Sequence, residues 1–434
     1  MKQRLWRVAA AALAVLMTVS LCGCEIDVAV SGNAPTTPPS GSGSTVVDPW
    51  DNSTGSDVRP PASDASEYED TTYAVRQEAL DLRLTREVLD RSILYKGDIA
   101  RVATFLKKVM RGEAVTIGFI GGSITQGTAA SVASNKYAER FFSWFTTTFP
   151  DTTFTYVNVG LGATDSLMGV HRVDNDLLSK DPDLVIVDFT VNDPYEVTYR
   201  KSYEGLMRKI LKSGAAVIGL QMMKQDGTNA ANEHSRISKH YDIPTVSYKE
   251  ALWPTDGDKV YTWSEISPDS IHPNDTGHAI VSELLVNYIN IVRAQITAAP
   301  APLTTLPEPA TDNPYETGVL LNGSNSTPST LTGFAVTSGT PQFPNGWYTT
   351  TGGTFVLDVE DTKNLSLLYW KQNGVSGSVT VKVDGQTVAT VESTNPATWN
   401  YAMTESLCSS DTAGSHTIEI TATGTFWILG ILKS

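Results

Sequence analysis

Residues 115–125 read Val115-Thr116-Ile117-Gly118-Phe119-Ile120-Gly121-Gly122-Ser123-Ile124-Thr125. The first six form a short apolar run, as a strand buried on both faces requires, and the two glycines end it. Upstream, Ile99, Val102, Ala103, Leu106, Val109 and Met110 recur at helical spacing, and Gly112 follows as a stop. Downstream come further apolar runs: Phe154 to Val159, Leu184 to Phe189 and Ala215 to Leu220. Helical patterns occupy Tyr137 to Phe145, Tyr203 to Leu211 and His278 to Ile291. Buried strands separated by helices predict a parallel sheet covered on both faces, a three-layer α/β/α domain over residues 69–298.

The pattern changes after that domain. Pro300, Pro302, Pro307, Pro309 and Pro314 make residues 299–314 a stiff linker. Beyond it the apolar residues alternate: Phe355, Leu357 and Val359; Val379, Val381 and Val383, before an Asp384-Gly385 hairpin turn; then Ile418 and Ile420. Residues 315–434 therefore read as an all-β sandwich.

The chain has 434 residues, with 41% hydrophobic and 18% charged residues, an ordinary globular composition for two or three domains. Its net charge of −15 argues against nucleic acid as a partner, because phosphate binding needs clustered Lys and Arg. At the N-terminus, Lys2, Arg4 and Arg7 precede an apolar run from Val8 to Val19, too short for a good membrane span. The run ends in Leu21-Cys22-Gly23-Cys24, which is similar to a bacterial lipobox. On that resemblance residues 1–23 are a lipoprotein signal peptide, and Cys24 is lipidated and anchors the chain to the outer face of a bacterial membrane. Removal of the signal deepens the charge to −18. Residues 24–68, rich in Ser, Thr, Pro and Gly, read as a disordered tether with a reach of about 35 Å. Cys408 is then the remaining thiol, in a Ser/Thr-rich stretch that does not suit a nucleophile.

Four blocks in the α/β region carry the chemistry. Gly121-Gly122-Ser123-Ile124-Thr125 places a serine at a strand-to-helix turn, on the sheet edge where open α/β folds hold ligands. Thr125 departs from the G-x-S-x-G elbow, and no Lys follows as a phosphate loop would need. Asn158-Val159-Gly160-Leu161-Gly162-Ala163-Thr164 follows the next strand; Asp165 stands where a dinucleotide fingerprint needs its third glycine, so the loop reads as a presenter of backbone N–H groups. Asp188-Phe189-Thr190-Val191-Asn192-Asp193 ends the third strand and offers the Asn192 amide as a donor. In Asp269-Ser270-Ile271-His272-Pro273-Asn274, the carboxylate and imidazole three residues apart can meet on one turn.

In this order the blocks resemble those of the SGNH hydrolases, also called the GDSL esterases, over roughly residues 95–292. The resemblance implies a flavodoxin-like domain. It also implies Ser123 as nucleophile, His272 as general base and Asp269 as its orienting partner, with no metal or cofactor. The implied oxyanion hole is the Ser123 N–H, a glycine N–H and the Asn192 amide. Gly160 and Gly162 compete for the glycine role, and the following Ala163-Thr164 favours Gly162. Two positions depart from the family: Gly122 stands where Asp is usual, and Thr190 where Gly is usual. His171 and Arg172 read as a surface helix or pocket lining, and His234 and His240 as structural or exposed.

A tethered, acidic SGNH enzyme with an appended β-sandwich resembles carbohydrate esterases, which implies short-chain (acetyl) esters on a polysaccharide such as xylan or mannan. The sandwich resembles jelly-roll accessory and carbohydrate-binding modules. Trp347, Tyr348, Trp370 and Trp399 are its candidate sugar contacts, whereas Trp427, in Phe426-Trp427-Ile428-Leu429, reads as core. The competing readings are a lipase or thioesterase on longer acyl chains, an acyltransferase, and a non-catalytic surface carbohydrate binder.

Overall fold

The computed structural model describes residues 82–299, 301–302, 304–312, 315–340 and 342–434. Cys24, the signal segment and the tether lie outside the described residues. The first domain opens with α1 (Arg86–Ser92), whose N-cap Thr85 accepts the Val88 N–H, and the short strand β1 (Ile93–Tyr95). There follow α2 (Ala100–Met110), β2 (Val115–Gly121), α3 (Ser123–Gln126), α4 (Tyr137–Thr148), β3 (Phe154–Asn158), α5 (Ser166–Asp176) and β4 (Leu184–Asp188). Then come α6 (Val197–Lys212), β5 (Ala216–Gln221), α7 (Ala231–His240), β6 (Thr245–Ser247), α8 (Tyr248–Leu252), α9 (Trp263–Ile266) and α10 (Asp275–Ala294).

The sheet order is β1-β6-β5-β4-β2-β3. The five strands β2 to β6 are parallel, and β1 adds an antiparallel edge to β6. Strands β1 and β6 have three residues each, too few to show a periodicity. Alternate side chains of each central strand feed opposite layers, as the pleat demands. Ile117, Phe119, Leu184 and Ile186 pack with Phe105, Phe141 and Leu284 of α2, α4 and α10. Ile120, Val185 and Val187 pack with Val170, Val173, Leu206 and Ile210 of α5 and α6. Burial on both faces is why the strands read as unbroken apolar runs.

The second domain contains β7 (Val319–Leu321), β8 (Thr330–Thr332), β9 (Ala335–Val336), β10 (Trp347–Thr349), β11 (Gly352–Asn373), β12 (Gly377–Val383), β13 (Gln386–Glu392), β14 (Thr394–Asn395), β15 (Tyr401–Gly424) and β16 (Phe426–Lys433). The expected sandwich is one ten-stranded, almost wholly antiparallel sheet folded on itself. Strands β11 and β15 pair along their lengths, with register shifts between Val359 and Ser366. The first half of β11 pairs with β8 and the second half with β16, so the bulges carry each long strand from one layer to the other. Phe355, Leu357, Val381 and Ile420 of one layer meet Leu367, Tyr369, Ile428 and Ile431 of the other in a single core. Trp347 is fully buried in that core, its ring 4.8 Å from that of Phe355. It is therefore not a sugar contact; its place opposite Ile428 on β16 faces it inward.

The two domains are packed together. Leu161, Leu167 and Met168 of the first share an apolar cluster with Leu320, Phe343, Leu368, Ala402, Leu429 and Leu432 of the second. Trp370 and Trp427 pack against this cluster with their rings 6.2 Å apart, so both belong partly to the junction. The proline-rich segment lies along α6. The buried Glu204 carboxylate accepts the N–H groups of Ala310 and Thr311, and Arg208 donates to Pro307 O at 2.9 Å and Glu316 at 2.7 Å. A Cβ at Gly205 would lie 2.9 Å from Glu316 N, so α6 needs a glycine where the segment crosses it. His171 and Arg172, read as surface or pocket residues, are both buried here. The His171 ring meets that of Tyr315 at 5.9 Å, and Arg172 donates to Val159 O at 2.7 Å, bracing the loop after β3.

Candidate active site

Three loops at the carboxyl ends of β2, β3 and β4 meet where the sheet order reverses, the usual ligand position in such sheets. Gly121 and Gly122 end β2, and Ser123 begins α3. The fourth block arrives from the other end of the chain, just before α10, whose N-cap Asn274 accepts the Gly277 N–H at 3.0 Å. Its turn is held from within: Ser267 Oγ donates to His272 O at 2.6 Å, and Asp269 Oδ1 accepts the N–H groups of Ile271 at 2.7 Å and His272 at 2.8 Å. The structure brings Ser123, His272 and Asp269 together across 149 residues of chain. His272 Nε2 is 2.9 Å from Ser123 Oγ, and His272 Nδ1 is 2.8 Å from Asp269 Oδ2. The carboxylate accepts a hydrogen bond from Nδ1–H, which fixes the tautomer and leaves Nε2 as acceptor for the serine hydroxyl. Partial burial pushes the Asp269 carboxyl up, but the N–H groups of His272 and Ile271 and the imidazole outweigh it and hold it below its ordinary value. It thus stays ionised opposite the imidazole.

The two departures from the family pattern have local causes. A Cβ at Gly122 would lie 2.2 Å from Asn192 Oδ1, so the bare glycine is what lets the Asn192 side chain pack against the residue before Ser123. Thr190 is buried and ties loops together: its hydroxyl donates to Asp188 at 3.1 Å and accepts the Met222 N–H at 2.8 Å, and its carbonyl accepts the Ala230 N–H at 2.7 Å. Among the loop amides, the Gly160 N–H donates to Asn158 Oδ1 at 2.9 Å, and the Gly162 N–H donates to Gln126 Oε1 at 2.9 Å. Gln126, one turn after Ser123, carried no signal in the sequence.

Asp193 was not singled out in the sequence either. Its side chain accepts the Ser166 N–H at 2.8 Å and lies 2.8 Å from His234 Nε2, with both side chains buried. His234 stacks on Tyr203 at 3.7 Å and is structural. His240, also read as structural or exposed, lies 2.7 Å from Glu308 O at the domain junction.

Burial pushes the Asp188 carboxyl up to about 7; hydrogen bonds from Thr190 oppose this and the charge of Asp193 adds to it. An unfolded aspartate titrates near pH ~4. The folded protein therefore holds this proton over a range where the unfolded chain releases it. That contribution to stability is full below about pH 4 and is lost as pH rises through 7. Asp188→Asn keeps an acceptor for Thr190 and loses the titration. Its Tm advantage over the wild type is expected to widen from pH 4 to pH 8 by calorimetry; a constant difference would refute the assignment.

A parallel-sheet domain with a Ser-His-Asp relay at its switch point defines a carboxylic ester hydrolase of the serine type. Residues 119–280 match the GDSL-like lipase/acylhydrolase family. The chain is 30% identical to a two-domain esterase active on acetylated mannans, with 80% of this chain and 98% of that one covered at a TM-score of 0.71. The same esterase co-crystallised with mannopentaose gives 30% identity, the same coverage and a TM-score of 0.70. No curated protein matches the chain in sequence. The chain belongs to the GDSL-like lipase/acylhydrolase family, in the two-domain form.

Proposed function

We propose that this protein is a serine esterase that removes O-acetyl groups from an extracellular polysaccharide of the mannan or xylan type. The observation that carries it is the unbroken relay Asp269–His272–Ser123 at the sheet switch point. Ser123 Oγ attacks the acetyl carbonyl as His272 Nε2 takes its proton. The Ser123 N–H, an amide of the 160–164 loop and the Asn192 side chain stabilise the oxyanion, each such donor being worth about 3 kcal/mol in the barrier. The sugar hydroxyl leaves with the proton from His272. Water then repeats the sequence on the acyl-enzyme, releasing acetate. The mannan-active relative supports the substrate class. Lipid attachment at Cys24 would hold the enzyme on the outer face of the membrane.

Trp399 is the surviving strong candidate for a sugar platform. Its side chain is more than half exposed, its ring lies 4.5 Å from that of Tyr401, and its loop is fixed by Asn395 and Asn373, which hold Trp399 O and Ala397 O. Tyr348 and Trp370 are half-buried and lean on Trp427.

The test is hydrolysis of p-nitrophenyl esters from acetate to octanoate, followed by acetate release from acetylated mannan and xylan. Activity confined to short chains, with release from the polysaccharide, is expected. A preference for octanoate would move the enzyme to lipase or thioesterase. Trp399→Ala is expected to lower the ratio of polysaccharide to p-nitrophenyl acetate activity about fivefold, equivalent to about 1 kcal/mol for one aromatic contact. An unchanged ratio would remove Trp399 from the substrate path.

A further inference from the structure

The turn that carries the catalytic acid is short of backbone donors. Pro268 and Pro273 flank the segment from Asp269 to His272 and have no N–H. The Asp269 side chain is nearly half exposed, so packing does not hold it against the imidazole. Hydrogen bonds to the turn's carbonyls must do so. Ser270 O accepts the Gln225 N–H at 2.9 Å from the loop after β5. Ser267 Oγ lies 2.6 Å from His272 O and 2.8 Å from Asp269 O, and it accepts the Asp269 N–H at 3.3 Å. One hydroxyl has one proton, and the shorter contact takes it to His272 O. The Asp269 carbonyl is then left to the indole of Trp263, whose Nε1–H donates to it.

We propose that Trp263 is a positioning residue of the catalytic relay: its indole N–H holds the Asp269 carbonyl and so keeps Asp269 Oδ2 on His272 Nδ1. The proposal rests on Asp269 and His272 serving Ser123 as nucleophile. An indole N–H is a donor only and is carried on a rigid ring, so it fixes its acceptor from one direction. The ring is itself fixed. It meets that of Trp253 edge-on at 5.6 Å, and the Trp253 Nε1–H donates to Tyr261 O at 2.8 Å. Helix α9, which begins with Trp263, has a capping box: the side chains of Thr262 and Glu265 each accept the other's backbone N–H. The same helix is bonded to the chain beyond the turn. Ile266 O accepts the Asn274 N–H at 2.9 Å, and Glu265 O accepts Asn274 Nδ2 at 3.0 Å. The helix before the turn and the cap of α10 after it therefore form one frame, and Trp263 reaches from that frame to the acid.

The full chain is assayed with p-nitrophenyl acetate. Trp263→Phe keeps a ring against Trp253 and removes the donor. It is expected to lower kcat about fivefold, the scale of one net hydrogen bond, with KM within about twofold. Replacing the Trp263 indole by benzothiophene, which has the same shape and no N–H, is expected to cost the same. That variant decides the matter if the Phe variant folds poorly. The downfield proton resonance of His272 Nδ1–H is expected to broaden or move upfield in both. In the Asp269→Asn background Trp263→Phe is expected to cost nothing further, because the donor acts through the carboxylate. Wild-type kcat in the benzothiophene variant overturns the proposal. So does an equal loss in both backgrounds, which would make the ring a packing residue, or a rise in KM alone, which would make it a substrate contact. Ser123→Ala runs beside these variants. If it is inactive while both Trp263 variants match the wild type, only this inference fails; if it hydrolyses the ester, the nucleophile assignment fails first.

Discussion

Ser123→Ala is expected to abolish ester hydrolysis, with kcat falling by about 10⁴-fold or more. The reason is geometric. Ser123 Oγ is the group that meets His272 Nε2 at 2.9 Å, and Asp269 has no path to substrate except through that imidazole. The three groups act as one unit, so their losses do not add. His272→Ala should cost about as much as Ser123→Ala, and the double variant no more than either. Asp269→Asn should cost less, because the N–H groups of Ile271 and His272 still hold the turn. Residual activity in each comes from the oxyanion donors alone. A Ser123→Ala protein hydrolysing p-nitrophenyl acetate at the wild-type rate would end the catalytic reading. The chain would then be studied as a surface carbohydrate binder.

The second large effect is expected from removing the β-domain. A chain ending at residue 299 bares Leu161, Leu167 and Met168, which are buried at the junction. It also strips Glu204 of the Ala310 and Thr311 amides and Arg208 of Glu316. Leaving a buried charge without its partners costs about 3–5 kcal/mol, a large share of the 5–15 kcal/mol that typically holds a fold together. The truncated chain is expected to aggregate or to melt far below the full one, by size exclusion and circular dichroism. Leu161 sits between Gly160 and Gly162, so any soluble fraction should also lose kcat as the loop loosens. A monodisperse truncated protein with wild-type kcat would mean that the two domains are merely adjacent.

The parts of this protein legible in the sequence are those governed by local periodicity. The runs at 115–120, 154–159, 184–189 and 215–220 are strands because both their faces are buried, and that leaves an unbroken apolar signature. The alternation at 355–359, 379–383 and 418–420 marks strands with one face inward. Ser123, Asp269 and His272, which the structure brings within hydrogen-bond distance of one another, each sit in a short block at an element end, where the sequence singled them out. Strands β1 and β6 were not legible, since three residues give no period. Trp347 was misread because exposure of a tryptophan depends on which layer covers it, and the pairing of β10 with β16 faces it inward.

His171 and Arg172 show the same limit: on α5 they look like a polar surface, but His171 is buried against Tyr315 and Gly318, and Arg172 turns in to Val159 O of the loop after β3. The sequence alone determined that a serine, an asparagine and an Asp-x-x-His turn lie at the ends of strands and helices in a fixed order. Tertiary structure decided the rest. It closed 149 residues of chain to bring His272 to Ser123, tied the Gly162 N–H to Gln126, and turned an apparent appendage into a wall behind the loop after β3. Periodicity reports which face of an element is buried; it carries no information about what buries it.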